Sequence, residues 1–197
     1  MLSVRNLAVA GLAPVAFDLD AGECVALTGP SGSGKTLLLR ALADLDPNGG
    51  EVVLDGELRE SVPGPAWRRR VCYLAAESGW WHDTVGDHFP DRAAARALLA
   101  DLDLSPEFLD RAVATVSTGE RQRLALARVL LLAPRVMLLD EPTSGLDDEA
   151  AARVESVLAK RLEGGVAIVL VTHDADLAGR LGHRRLRIAD GHLEAVE

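Results

Sequence analysis

The run Gly29-Pro30-Ser31-Gly32-Ser33-Gly34-Lys35-Thr36 constrains this chain more than any other feature. It fits G-x-x-x-x-G-K-S/T and lies between an apolar run, residues 23–28, and a helix-like run, residues 35–43. An ordinary Gly/Ser turn lacks that strand-then-helix setting. Glycines here let the backbone approach a phosphate and aim several N–H groups inward. The helix beginning near Lys35 adds its positive N-terminal end. Lys35 is placed to reach the β- and γ-phosphates of a nucleotide, and the Thr36 hydroxyl to ligate Mg²⁺.

Strand-like runs at 2–9, 15–20 and 23–28 precede the loop, with Gly and Pro turns between them. Further strands are expected at 51–54, 71–74, 136–140 and 166–172, and two short ones in 186–196 around Asp190-Gly191. Helices are expected at 35–43, 117–132 and 147–162, and within 84–114, where Asp91 and Ser105 are candidate N-caps. Buried strands alternating with helices predict an α/β core with a parallel sheet. The early strands predict an antiparallel piece beside it.

At 197 residues the chain fits one domain with a sizeable core. A net charge of −9 disfavours a long nucleic-acid contact but leaves room for one nucleotide held by backbone N–H groups and a lysine. The first residues lack a long apolar run, so no secretory signal is expected, and no stretch approaches the roughly 18 apolar residues of a membrane span. Cys24 and Cys72 lack metal-like spacing and read as small buried hydrophobes in a reducing, cytoplasmic setting.

The stretch Val136-Met137-Leu138-Leu139-Asp140-Glu141 is an apolar strand ending in two carboxylates. Such a strand can deliver Asp140 to a nucleotide-bound Mg²⁺, directly or through water. Glu141 can then polarise an attacking water as general base, an effect of about 10²–10⁴ in rate.

Three further motifs follow in fixed order, and with them nearly the whole chain resembles the ABC (ATP-binding cassette) ATPases. Ser117-Thr118-Gly119-Glu120-Arg121-Gln122-Arg123 resembles their signature sequence, Ser144-Gly145-Leu146-Asp147 their D-loop, and His173 in Val-Thr-His-Asp their switch histidine. The resemblance implies a single domain over 1–197, with a parallel-sheet core, an antiparallel β subdomain and a small helical subdomain near 78–130. It implies a function as the ATP-hydrolysing subunit of a transporter, at the inner face of the cell membrane, with the membrane-spanning subunit a separate chain. Catalysis would fall to Glu141, His173 and Lys35, and ATP and Mg²⁺ would be the cofactors. Residues 29–36 would bind the nucleotide of their own chain, and Ser117, Gly119 and Glu120 the γ-phosphate held by a second copy, so a homodimer is implied. Independently of the family, Ser117 and Glu120 form an S-x-x-E capping box for the following helix. A soluble ABC ATPase outside transport, or a low-turnover regulatory module, is the alternative.

Some positions depart from the family. A glutamine is expected after residues 71–74, but position 76 is Ala, and Gln122 is the only glutamine in the chain. Glu77 is the candidate substitute, and slow hydrolysis is expected. No aromatic occurs in residues 1–16 to stack on adenine, and Val9 sits near the expected place. Weak base discrimination follows, which ATP binding much tighter than GTP binding would contradict. Thr118 replaces a signature glycine. Trp80-Trp81 reads either as packing or as a surface for the membrane subunit.

Overall fold

The computed structural model describes residues 1–196. Its main sheet has six strands in the order β10-β9-β3-β8-β7-β6. These are β3 (Cys24–Thr28), β6 (Val71–Leu74), β7 (Val136–Asp140), β8 (Ala167–Val171), β9 (Arg184–Ala189) and β10 (His192–Val196). Neighbours are parallel except for β9 and β10. Every residue of β7 and β8 is buried, as expected of parallel strands covered on both faces.

Alternation along these strands feeds two cores. Cys72, Leu74, Met137, Leu139, Ile168 and Leu170 enter one core, which is covered by α3 (Arg92–Asp101), α4 (Thr118–Leu131), α5 (Asp148–Glu163) and α6 (Ala175–Leu181). Val71, Val136, Leu138, Val169 and Val171 enter the other. That second core is closed by α1 (Lys35–Leu42) and by a four-stranded antiparallel sheet of order β2-β1-β4-β5. The smaller sheet comprises β1 (Leu2–Ala8), β2 (Val15–Leu19), β4 (Gly49–Leu54) and β5 (Glu57–Leu58). Strand β2 alternates buried and exposed residues strictly, the pattern of a sheet with one wet face.

The stretch 84–114 differs from expectation. Only Arg92–Asp101 is α-helical, capped by Asp91, which accepts the N–H groups of Ala93 and Ala94 at 2.9 Å. Val85–His88, Pro106–Asp110 and Val113–Thr115 are 3₁₀ turns, and Ser105 caps the second of these. Pro90 and Pro106 interrupt the chain, and burial of Phe89, Phe108 and Leu109 holds the turns down.

Two helices were not expected. In α2 (Gly64–Arg70), entered through Pro63-Gly64-Pro65, Trp67 is fully buried and its Nε1–H donates to the Leu42 carbonyl at 2.9 Å. The same bond ties down the end of α1. Helix α6 is capped by Asp174, which accepts from Asp176 and Leu177.

Candidate functional site

The loop between β3 and α1 is shaped by close approaches. Gly29 has φ 144°, and a Cβ there would lie 2.5 Å from the Ile188 carbonyl oxygen in β9. Gly34 caps α1 with φ 102°, and no side chain caps the first turn, so its N–H groups face the loop unspent. These are the donors that an anion at a helix start would use. The Lys35 Nζ donates to the carbonyls of Gly29 and Pro30, both at 2.8 Å, which leaves one ammonium proton for a ligand.

Strand β7 brings its end to this loop. The Thr36 hydroxyl donates to Asp140 Oδ2 at 2.7 Å, and the Tyr73 hydroxyl donates to the same oxygen at 3.1 Å. Burial first, then the Asp140 charge, push the Tyr73 phenol well above its ordinary range, so it remains a donor. Asp140 is buried, and no cationic side chain pairs with it among the described residues. A buried carboxylate with only neutral donors is costly unless something cationic completes it. Thr36 and Asp140 therefore fit a Mg²⁺ that takes its other ligands from phosphate and water.

Glu141 adopts φ 51°, a left-handed conformation uncommon for a residue without Asn or Asp chemistry. Its N–H donates to Val171 at 2.9 Å, which locks the turn to the end of β8. The Glu141 Oε2 accepts the His173 backbone N–H at 3.2 Å. The His173 ring Nε2 lies 3.5 Å from Glu141 Oε1 but without hydrogen-bond geometry, so that buried oxygen has no donor. The His173 ring itself is 71% exposed. Ser31, Gly32, Gly34, Lys35, Thr36, Asp140, Glu141 and His173 all line one open cavity of about 350 Å³.

Ser117, Gly119 and Glu120 do not line that cavity. They open α4, where Ser117 Oγ accepts the Glu120 N–H at 3.3 Å and Glu120 Oε2 accepts the Ser117 N–H at 2.7 Å. The Ser117 N–H bond holds the Glu120 carboxyl below its ordinary value. Gly119 packs on the loop before α5, since a Cβ there would meet Leu146 at 3.1 Å. Thr118 lines a separate groove of about 280 Å³ with Ala76, Glu77, Trp80, Arg121 and Gln122.

Ala76 lines both the groove and the nucleotide-loop cavity, whereas Glu77 lines the groove alone. Glu77 therefore opens on the groove rather than on the cavity that holds Asp140 and Glu141. Val9 is buried at 7% exposure, and it is Leu12 that rests against Gly34. Tyr73 was not singled out in the sequence; inside the apolar strand Val-Cys-Tyr-Leu it reads as core.

Outside the site, both cysteines are free and buried, and burial pushes each thiol up to about 12. Trp80 is half-buried and Trp81 is 67% exposed, with the Arg128 guanidinium over both rings. His88 is buried beneath them, its Nε2 accepting the N–H groups of Trp81 and His82 at 2.9 and 3.0 Å.

Residues 12–144 match the profile of the family described as "ABC transporter". Over 202 residues the chain is 39% identical to the Fe(3+) ions import ATP-binding protein FbpC of Mesorhizobium japonicum, covering 95% of this chain and 56% of that protein. Over 200 residues it is 34% identical to the arginine transport ATP-binding protein ArtP of Escherichia coli K12, covering 91% of this chain and 82% of that protein. The chain thus spans little more than half the length of the first of these relatives. Among solved structures, the dimeric post-hydrolysis state of the ATP-binding cassette MJ0796 bound to ADP and Pi superposes with a TM-score of 0.87 at 25% identity, covering 100% of this chain and 99% of that one.

Proposed function

The chain belongs to the ABC transporter family, and we propose that it is an ATP-binding and ATP-hydrolysing subunit that powers transport through a separate membrane-spanning subunit. The observation that carries this reading is the convergence of Lys35, Thr36, Asp140, Glu141 and His173 on one cavity beside an uncapped helix start.

In this reading the triphosphate lies in the 29–36 loop, and the remaining Lys35 N–H donates a hydrogen bond to a phosphate oxygen. Mg²⁺ held by Thr36 and Asp140 would neutralise charge developing on the phosphates. Glu141 takes the part of general base. Its carboxylate lines the cavity and Oε1 accepts from no donor, which leaves it basic toward an attacking water. His173 holds the other carboxylate oxygen through its backbone, and its exposed ring, beside Glu141, is within the cavity where the γ-phosphate would lie. The helix start at Ser117 lies off this cavity, which supports its use by a second copy in a homodimer.

We propose that residues 1–197 form one cassette, with the helical part near 78–130. No helix among the described residues is long and apolar enough to cross a membrane. We place the chain on the cytoplasmic face, docked on its membrane partner, with exposed Trp81 in the docking surface. FbpC and ArtP are named for different cargoes, and cargo choice is assigned to the membrane subunit. Ala76 favours a second reading, a cassette of low turnover that acts as a nucleotide-dependent regulator.

MgATP binding to the purified chain and to Lys35→Ala tests the site. Losing a charge-assisted phosphate contact is expected to weaken binding about tenfold or more. Equal affinities would remove Lys35 from the site and with it the reading.

A further inference from the structure

We infer that Tyr73 is a positioning residue for the metal-binding carboxylate, fixing the rotation of Asp140 through its phenol. This rests on the ATPase reading given above. Two donors converge on Asp140 Oδ2, the Thr36 hydroxyl at 2.7 Å and the Tyr73 hydroxyl at 3.1 Å. Both side-chain donors fall on Oδ2 and none on Oδ1 among the described residues, so Oδ1 keeps its lone pairs for a cation. With Thr36 alone the carboxylate could pivot about a single tether; the second tether defines its plane.

The strand geometry makes Tyr73 suited to this. In the parallel β6–β7 ladder Tyr73 pairs with Leu138, two residues before Asp140 and on the same face of the sheet. That face carries α1, whose first turn supplies Thr36, and the Tyr73 ring packs into the core beneath it. Position 76, farther along the same chain segment, supplies only a methyl group. Arg40 is engaged elsewhere, its Nε and Nη2 donating to Asp46 at 2.7 Å, and it makes no hydrogen bond or ion pair with Asp140. Tyr73 is therefore the polar side chain of β6 that touches the metal carboxylate. Partners of metal ligands in comparable positions typically govern affinity by about 10–100-fold.

The test uses Tyr73→Phe, which keeps the ring and removes only the hydroxyl. ATP affinity is measured with and without Mg²⁺ for wild type and variant, together with the Mg²⁺ concentration for half-maximal ATP hydrolysis. The variant should need about tenfold more Mg²⁺. Its metal-free ATP affinity should be unchanged, and its turnover should recover at saturating metal. In an Asp140→Asn background the same substitution should have no further effect on the metal requirement. An unchanged Mg²⁺ requirement overturns the role of Tyr73. So does an equal loss of metal-free and metal-dependent binding, the mark of general damage. A wild type whose ATP binding ignores Mg²⁺ overturns both this role and the ATPase reading; a metal-dependent wild type with an indifferent variant overturns only the role of Tyr73.

Discussion

Two glycines of one loop should respond differently to the same methyl group. At Gly29, φ is 144° and an added Cβ would lie 2.5 Å from the Ile188 carbonyl and 2.9 Å from Ser33 Oγ. Ser33 could swing away, but Ile188 belongs to a sheet strand and its carbonyl cannot yield without moving β9. At Gly32, φ is 77° and nothing lies within 4 Å of the added atom. Gly32→Ala then carries only the left-handed conformational penalty, about 1–2 kcal/mol. Gly29→Ala carries a comparable backbone penalty plus the overpacking of a rigid wall, together on the order of 3 kcal/mol or more. For a domain of this size each kcal/mol moves the unfolding midpoint by roughly 2–4 °C. Thermal unfolding of the nucleotide-free protein should therefore show a drop of a few degrees for Gly32→Ala and on the order of 10 °C for Gly29→Ala. Equal drops would refute the claim that β9 forms the back wall of the loop.

Other expectations follow from single contacts. Ala76→Gln should raise ATP turnover, by up to about 10² if the missing amide behaves like other polar groups lost from a reacting centre; Glu77→Ala should leave turnover alone, and a slower Glu77→Ala or an inert Ala76→Gln would contradict the placement of these side chains. His88 has its proton affinity lowered chiefly by burial, with Arg128 and His82 the nearby charged or titratable groups. Because the unfolded chain takes up this proton more readily, stability is present above the ordinary histidine value near 6.5 and is lost as pH falls through the lowered one. Denaturant unfolding between pH 7 and pH 5 should accordingly fall off less steeply in His88→Gln, and an identical slope would exclude the buried neutral imidazole.

Much of the site was legible because its chemistry demands particular residue types at fixed spacing. The 29–36 loop, the Asp140-Glu141 strand end and the Ser117–Glu120 capping box are all local patterns, and the structure places each on the expected element. What escaped depends on contacts between distant segments. Tyr73 is one apolar-looking residue in a buried strand until β7 sets Asp140 beside it. Trp67 looks like a loop residue behind Pro63-Gly64-Pro65 until the carbonyl of Leu42 is known to meet its indole N–H. The direction of Glu77 could not be read, since alternation stops where β6 ends and the turn alone decides which cavity a side chain enters. Helix α6 was readable in principle from the Asp174 cap and the spacing of Leu177, Ala178 and Leu181. In 84–114 the Ala- and Leu-rich composition suggested more helix than the prolines permit.

Water activation by Glu141, in a site completed by a second copy, is the step on which the proposed ATPase function turns. Mg²⁺-dependent ATP hydrolysis by the purified chain and by Glu141→Gln, with the oligomeric state recorded by light scattering, tests it most directly. Expected are turnover by the wild type, a loss of about 10²–10⁴ in rate for Glu141→Gln, and an ATP-bound dimer trapped by that variant. A wild type that binds ATP, turns nothing over and yields no ATP-dependent dimer with Glu141→Gln would contradict it.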